Sequence, residues 1–293
     1  MVQALVRYPA RYCLVLSRRL LSSALVSLPR SVMEIITLSA WSDNYMYILI
    51  DKTSKVCAAV DPVEPDKILA AVKQHQLRLS SILTTHHHSD HASGNKDLVN
   101  KWKQISGENI CVFGGDKRID ALTNLVSDGE TIKLGGNLDV KCLTTPCHTT
   151  GHVCYYVTEA EDKSGGVVFT GDTLFLGGCG RFFEGSPEQM HSALVGKLSK
   201  LPPSTKVFCG HEYTVKNLEF GLTVEPNNVF TKQRLEKAKK MRAQGEPTVP
   251  GTIEEELLTN PFMRVGEDDV LAHAKTKDPI EAMRVIRQEK DRF

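Results

Sequence analysis

The segment Leu79-Ser80-Ser81-Ile82-Leu83-Thr84-Thr85-His86-His87-His88-Ser89-Asp90-His91 constrains this chain more than any other part of it. An apolar run with strand character feeds a loop carrying four imidazoles and a carboxylate within six residues, and Gly94-Asn95 then opens a helix. In extended backbone, residues i and i+2 point to the same side, so His86 and His88 can share one metal ion. Asp90 and His91 turn away with the onset of the helix, towards a second ion a few ångströms off. Without cations, so dense a cluster of titratable groups would repel itself below neutral pH. The spacing predicts two adjacent metals.

Such a site needs further ligands, and three loops offer them: His148 in Thr145-Pro146-Cys147-His148-Thr149, Asp172 in Phe169-Thr170-Gly171-Asp172-Thr173, and His211 in Val207-Phe208-Cys209-Gly210-His211. Each follows an apolar run and sits beside a small or turn-forming residue, where a loop can deliver a ligand to a common edge. Taken singly, each reads as an ordinary loop or cap residue; beside the cluster, each reads as a ligand. A carboxylate such as Asp172 can bridge two cations through its two oxygens, which a neutral imidazole cannot. Imidazole with carboxylate suits zinc, iron or manganese, with zinc the first choice. His87 and His152 are read as hydrogen-bonding neighbours of the site. His75, His191 and His273 lie in helical stretches outside it.

A length of 293 residues predicts about two domains. Residues 33–211 alternate short strands and turns, with a hairpin over Met46–Ile50 and Val56–Val60 and further strands at Leu138–Thr144, His152–Val157 and Val167–Thr170. A helix is expected over Asp66–Gln76, and another where Ser186-Pro187 and Gln189 form a capping box. Residues 212–293 are helical in texture: Asn228–Arg242, a second capping box at Thr252 and Glu255, and a last helix opened by Asp278-Pro279. The fold class is therefore a mixed α and β domain followed by a small helical one.

Lys and Arg number 36 against 35 Asp and Glu, a net charge of +1, so bulk charge gives no reason to expect nucleic acid or an anionic membrane as partner. No apolar run reaches the roughly 18 residues of a membrane span. Eight cysteines without a Cys-x-x-Cys pair suit free thiols in a reducing compartment. Residues 1–32 carry Arg7, Arg11, Arg18, Arg19 and Arg30 with no acid before Glu34, the composition of a mitochondrial transit peptide. The expected location is the mitochondrial matrix, with Met33 as the start of a cytosolic form.

The order His-x-His-x-Asp-His, then His148, Asp172 and His211, resembles the metallo-β-lactamase superfamily. Adding Thr145 to His152, Gly171 to Phe175, Gly178-Cys179-Gly180, Cys209 to Thr214 and the closing Arg287 to Asp291, the chain from 33 to 293 resembles the glyoxalase II family, the hydroxyacylglutathione hydrolases. That resemblance implies an αββα sandwich with a C-terminal helical domain. It assigns His86, His88 and His148 to a first divalent ion, Asp90, His91 and His211 to a second, and Asp172 to both. Arg181, Phe183, Tyr213, Arg287 and Lys290 fall where the family holds glutathione, whose two carboxylates suit Arg and Lys.

The implied activity of a monomeric enzyme is hydrolysis of an S-(2-hydroxyacyl)glutathione by metal-activated water, with Asp90 and Asp172 as catalytic carboxylates. S-D-lactoylglutathione would give D-lactate and glutathione, the second step of methylglyoxal removal. Departures are Ser89 where Trp is usual, Ser93 for Gly, Arg181 for Lys and Phe183 for Tyr. The last removes a hydroxyl whose hydrogen bond is worth about 0.5–1.5 kcal/mol. Two other readings stay open: a one-iron glutathione persulfide dioxygenase, whose relatives lack the helical C-terminus, and a weakly active paralogue that binds glutathione conjugates.

Overall fold

A computed structural model describes residues 31–161 and 165–293, and Ser31–Phe293 form one compact unit. The transit-peptide segment, apart from Ser31 and Val32, lies outside the described residues. Val32 already packs against the core, and its carbonyl accepts the Lys52 N–H.

The first sheet contains β1 (Met33–Ala40), β2 (Asn44–Asp51), β3 (Val56–Val60), β4 (Arg78–Leu83), β5 (Cys111–Gly114) and β6 (Asn124–Leu125), in that spatial order. Its first three strands are antiparallel and the rest parallel. The second sheet contains β7 (Thr131–Leu134), β8 (Leu138–Thr144), β9 (Val153–Glu159) and β10 (Val167–Gly171). A separate two-stranded hairpin, β11 (Leu174–Phe175) and β12 (Gly178–Cys179), follows, before β13 (Lys206–Cys209) and β14 (Gly251–Thr252) complete the second sheet in the order 14-13-10-9-8-7. The hairpin over β2 and β3 and the strand β8 lie where the sequence predicts them; β9 and β10 shift by a residue or two.

Alternation along the strands explains the layering. In β2, Tyr45, Tyr47 and Leu49 face the second sheet, joining Val140, Tyr155, Phe169 and Phe208 in one core. Met46, Ile48 and Ile50 point the other way, onto helices α1 (Pro65–Gln74) and α3 (Asn95–Ser106), which contribute Ile68, Val72, Leu98 and Trp102. Period-two side-chain alternation with apolar residues on both faces describes a strand buried on both sides. The short helix α2 (Ser89–Ala92) lies between them in sequence. Helix α4 (Pro187–His191) begins at the expected capping box and runs into a π-helical turn, Ser192–Lys197. Met190 of α4, with Leu194 and Leu198 from the turns that follow, is buried in the same apolar cluster as the second sheet and supplies the last layer of the αββα arrangement.

After the sandwich come α5 (Thr214–Val224), α6 (Val229–Ala243), α7 (Ile253–Thr259), α8 (Asp268–Ala274) and α9 (Pro279–Arg292). Phe220, Phe262 and Ile286 from these helices join the same core as the sheets, and α9 packs against α4 and α8. Asn228, Thr252 and Asp278 cap α6, α7 and α9 with their side chains. Among the described residues, no helix is long and apolar enough to cross a membrane, and seven cysteines are free thiols.

Several hydrogen bonds join the sheets where the strands deliver their loops. Tyr45 N–H donates to the Gly210 carbonyl at 2.8 Å and Glu212 N–H to the Asp43 carbonyl at 2.8 Å. Tyr155, fully buried, donates its hydroxyl to the Thr84 carbonyl at 2.8 Å. Leu83, the last residue of β4, is 1% exposed between the sheets and immediately precedes the histidine loop. Leu83→Ala is expected to destabilise the fold by about 2–5 kcal/mol, the range for truncating a buried leucine. Urea titration checks this, and a loss below about 1 kcal/mol would contradict close packing there.

Candidate metal centre and its cavity

Each predicted ligand lies in a connection between strands, after β4 (where Asp90 and His91 sit in α2), between β8 and β9, after β10 and after β13. In the first loop the backbone is extended at His88 (φ −59°, ψ 146°), and the His88 carbonyl then accepts the N–H groups of His91 and Ala92 as α2 begins. That switch from extended to helical backbone sends His86 and His88 one way and Asp90 and His91 the other. His86 Nε2 and His148 Nε2 each lie 3.1 Å from His88 Nδ1. On the other side, His91 Nε2 is 3.2 Å from His211 Nε2, and Asp90 Oδ2 is 3.3 Å from His211 Nε2. Asp172 spans the two groups: Oδ1 is 3.3 Å from His91 Nε2, and Oδ2 is 3.5 Å from both His148 Nε2 and His211 Nε2.

These separations match cation ligands. Two nitrogens bound at 2.0–2.1 Å to one tetrahedral ion lie about 3.3 Å apart. Neighbouring groups fix which nitrogen is free to bind. The Nδ1 of His91 donates to Asp61 Oδ2 at 3.0 Å, of His148 to the Arg181 carbonyl at 3.0 Å, and of His211 to Asp43 Oδ1 at 2.7 Å. The His86 Nδ1 faces Thr85 Oγ1 at 3.1 Å, and that hydroxyl donates to Asp61. These four rings therefore present an Nε2 lone pair to the centre, and His88 its Nδ1; lone pairs facing one another at such range call for a cation or a proton between them. Asp172 Oδ1 is buried and accepts no hydrogen bond, an orphan that a cation satisfies.

Electrostatics prepares the same state. Burial, reinforced by neighbouring histidines, pushes the His86 and His88 imidazolium pKa values down, and burial lowers that of His148, so these rings stay neutral. Burial opposes ionisation of Asp172, yet His91 and His211 hold its carboxyl well below the usual range. Asp90, also opposed by burial, is held at about 2 by the His211 hydrogen bond and the charge of His91. His91 and His211 are shifted up despite burial, His211 to about 10, because Asp172 faces both; a proton there does the work of a positive ion.

The structure brings all seven predicted ligands together. His152 lies behind them, its Nε2 accepting from the Asp172 N–H at 3.1 Å, and His87 packs 3.5 Å from Asp116. Gly210 lets the strands close here, since a Cβ on it would lie 2.4 Å from Asp172 Oδ1. Asp43 and Asp61 were not singled out from the sequence, although Asp61 stands at a strand end in Val60-Asp61-Pro62, a readable signal. Its left-handed backbone, φ +47°, is one that Asp tolerates.

A cavity of about 570 Å³ opens over the centre, and Arg181, Phe183, Tyr213, Arg287 and Lys290 all line it. Tyr213 stacks flat on the His211 ring at 4.8 Å, and Phe183 sits 5.1 Å from that of His148. Burial and the nearby Arg287 lower Lys290 to about 8, and its ammonium lies over the Phe220 ring. Arg287 is buried, donating to the Cys179 carbonyl at 2.8 Å and pairing with Asp291 at 3.1 Å. Lys216 and Asn217 of α5 line the cavity too and were not anticipated; they lie three and four residues after Tyr213, on its helical face.

Comparison with known proteins agrees with this geometry. The family model described as metallo-beta-lactamase superfamily matches residues 37–110 and 111–211, and that of the hydroxyacylglutathione hydrolase C-terminus matches 212–293. A probable hydroxyacylglutathione hydrolase of Schistosoma mansoni is 64% identical over 233 residues, covering 80% of this chain and 97% of the relative. A cytoplasmic hydroxyacylglutathione hydrolase of Arabidopsis thaliana is 47% identical over 262 residues, covering 89% and 99%. The solved structure of ETHE1 from Myxococcus xanthus is similar in fold, with a TM-score of 0.62 at 23% identity, covering 88% and 91%. Asp172→Ala is expected to remove at least one of two divalent ions per chain while the fold persists. Elemental analysis beside circular dichroism checks this; unchanged metal content would contradict the bridging position.

Proposed function

The chain belongs to the hydroxyacylglutathione hydrolases of the metallo-β-lactamase superfamily, and from that premise we propose that it cleaves S-(2-hydroxyacyl)glutathione thioesters to a 2-hydroxy acid and glutathione. The observation that carries this reading is the juxtaposition of a two-cation ligand set with a cavity rich in Lys and Arg. His86, His88 and His148 would hold one ion, Asp90, His91 and His211 the other, and Asp172 both. Nitrogen-rich ligands with carboxylates favour zinc over iron and manganese on the usual affinity order, so zinc is the proposed pair. When bound, such a pair supplies a nucleophile from water near neutral pH and electrostatic stabilisation of a developing oxyanion.

The chain's own groups do the rest. Asp90, ionised at neutral pH, accepts a hydrogen bond from the attacking water and orients it at the ligand edge. Arg181 and Lys290 offer donors to the peptide carboxylates, while Arg287, already engaged with Cys179 and Asp291, stiffens the wall. The Tyr213 hydroxyl stays protonated, because burial raises its pKa, and so remains a donor. Phe183 contributes an apolar ring but no hydroxyl. The leaving thiolate, with a thiol pKa near 8.5, needs no strong general acid. The dioxygenase alternative gains nothing from the ETHE1 likeness, which extends to fold alone, and the match over 212–293 favours the hydrolase.

Incubation with S-D-lactoylglutathione is expected to abolish thioester absorbance without oxygen uptake; oxygen consumption with the thioester intact would sink the proposal. A second expectation follows from Lys290, whose pKa of about 8 lies below the ordinary lysine value near 10.4. Its positive charge is present at pH 7 and mostly lost by pH 9. KM should therefore rise up to roughly tenfold across that window, and Lys290→Gln should show a high KM with little slope. Equal slopes for both proteins would rule Lys290 out as the titrating group.

A further inference from the structure

Away from the ligands, Arg118 and Glu184 join three loops that are far apart in sequence. Glu184 Oε2 accepts from the Thr150 N–H at 2.7 Å and the Thr150 hydroxyl at 2.9 Å. Arg118 meets the same carboxylate in a fork, Nη1 to Oε1 at 2.6 Å and Nη2 to Oε2 at 2.9 Å. Its Nε lies 3.0 and 2.9 Å from the two oxygens of Asp116, so one guanidinium is held from both sides. Glu184 N–H donates to the Cys147 carbonyl at 3.2 Å. The loops touch backbone to backbone beside it, since a Cβ on Gly185 would lie 2.5 Å from Cys147 Cα.

Two of these loops lead to the centre. Thr150 lies two residues after His148, and Glu184 three residues after Arg181, whose carbonyl fixes the His148 ring. Phe183, next to Glu184, covers the His148 and His88 rings. His87 sits against the inner side of the pair, 3.5 Å from Asp116 and 3.9 Å from Glu184, between two predicted ligands in sequence. Isolated surface ion pairs contribute little, but forked geometry shared among several charges is the exception, and four forked or bridging contacts meet here.

We propose that Arg118 and Glu184 form a positioning clamp that holds the His148 loop and the Arg181–Phe183 wall in register with the metal centre and the bound substrate. Neither residue touches the reacting atoms; each acts through the Arg181 carbonyl and the Phe183 ring. The clamp adds to the hydrolase reading and rests on it for its effect on substrate, whereas its effect on the metal centre can be read without substrate.

Cobalt(II)-loaded wild type, Arg118→Met, Arg118→Lys and Glu184→Gln test it by visible absorption, cobalt affinity, and KM and kcat with S-D-lactoylglutathione. For Arg118→Met we expect a changed cobalt spectrum, about 10–100-fold weaker affinity for one of the two ions, and a raised KM. Arg118→Lys should recover part of each, since one ammonium cannot serve both carboxylates, and Glu184→Gln should show the same changes more weakly. Folded variants with wild-type spectrum, affinity and KM would overturn the clamp, even with a lowered melting temperature. If Arg118→Met does not fold, Glu184→Gln decides on the same readouts; collapse of both would overturn it in favour of a purely structural pair. A wild-type protein that leaves the thioester intact would defeat the hydrolase reading, while the cobalt spectra would still report on the clamp.

Discussion

Lone pairs brought within about 3 Å of one another set the terms for this molecule. His86 Nε2 and His148 Nε2 converge on His88 Nδ1, His91 and His211 approach each other, and the Asp172 carboxylate reaches both groups. Electron-rich atoms so placed are repulsive unless positive charge lies among them. A polypeptide can hold them there only by spending the rigidity of a large core on the problem. The double-sided burial of β2, the inter-sheet tethers at Tyr45 and Glu212, and the close approach at Gly210 all serve that end.

Orientation is handled one layer out. Asp43, Asp61, the Thr85 hydroxyl and the Arg181 carbonyl each take the proton of one imidazole nitrogen and leave the other nitrogen bare. Two of the four are carboxylates, which makes the opposite nitrogen more basic as well as better aimed. The Arg181 carbonyl joins two roles, because its residue also lines the cavity over the centre. The histidine cluster and the cavity wall are thereby joined through one peptide group, and Glu184, forked to Arg118, follows three residues on in the chain.

The cavity itself shows how a chain of net charge +1 can favour an anionic ligand. Arg181, Lys216, Arg287 and Lys290 gather in one cavity, with Asp291 beside Arg287 and the ligand-set carboxylates Asp90 and Asp172 in the same lining. Gathering them there costs desolvation and mutual repulsion, visible in the depressed pKa of Lys290, to which Arg287 and Lys216 both contribute. That unfavourable charge density is what a ligand with two carboxylates would relieve.

Much of this was legible in one dimension. Local signals with a local cause read correctly: the capping boxes at Ser186 and Thr252, the hairpin over β2 and β3, the strand β8, and the fold class of a sandwich followed by helices. The histidine loop could be read because extended and helical backbone differ in where successive side chains point, a property of a few adjacent residues. Asp61 left a strand-end signal, but its role as the partner of a ring 30 residues on was not legible, nor were the outer partner Asp43, whose ring lies 168 residues away, and the wall residues Lys216 and Asn217, which the docking of α5 on the sandwich brings in. So the sequence alone determined which atoms could bind cations and in what order the chain presents them. The packing of two sheets decided that those atoms share one place, which nitrogen of each ring faces inward, and which charges surround the opening. Those outcomes depend on long-range burial, to which neighbours along the chain carry no information.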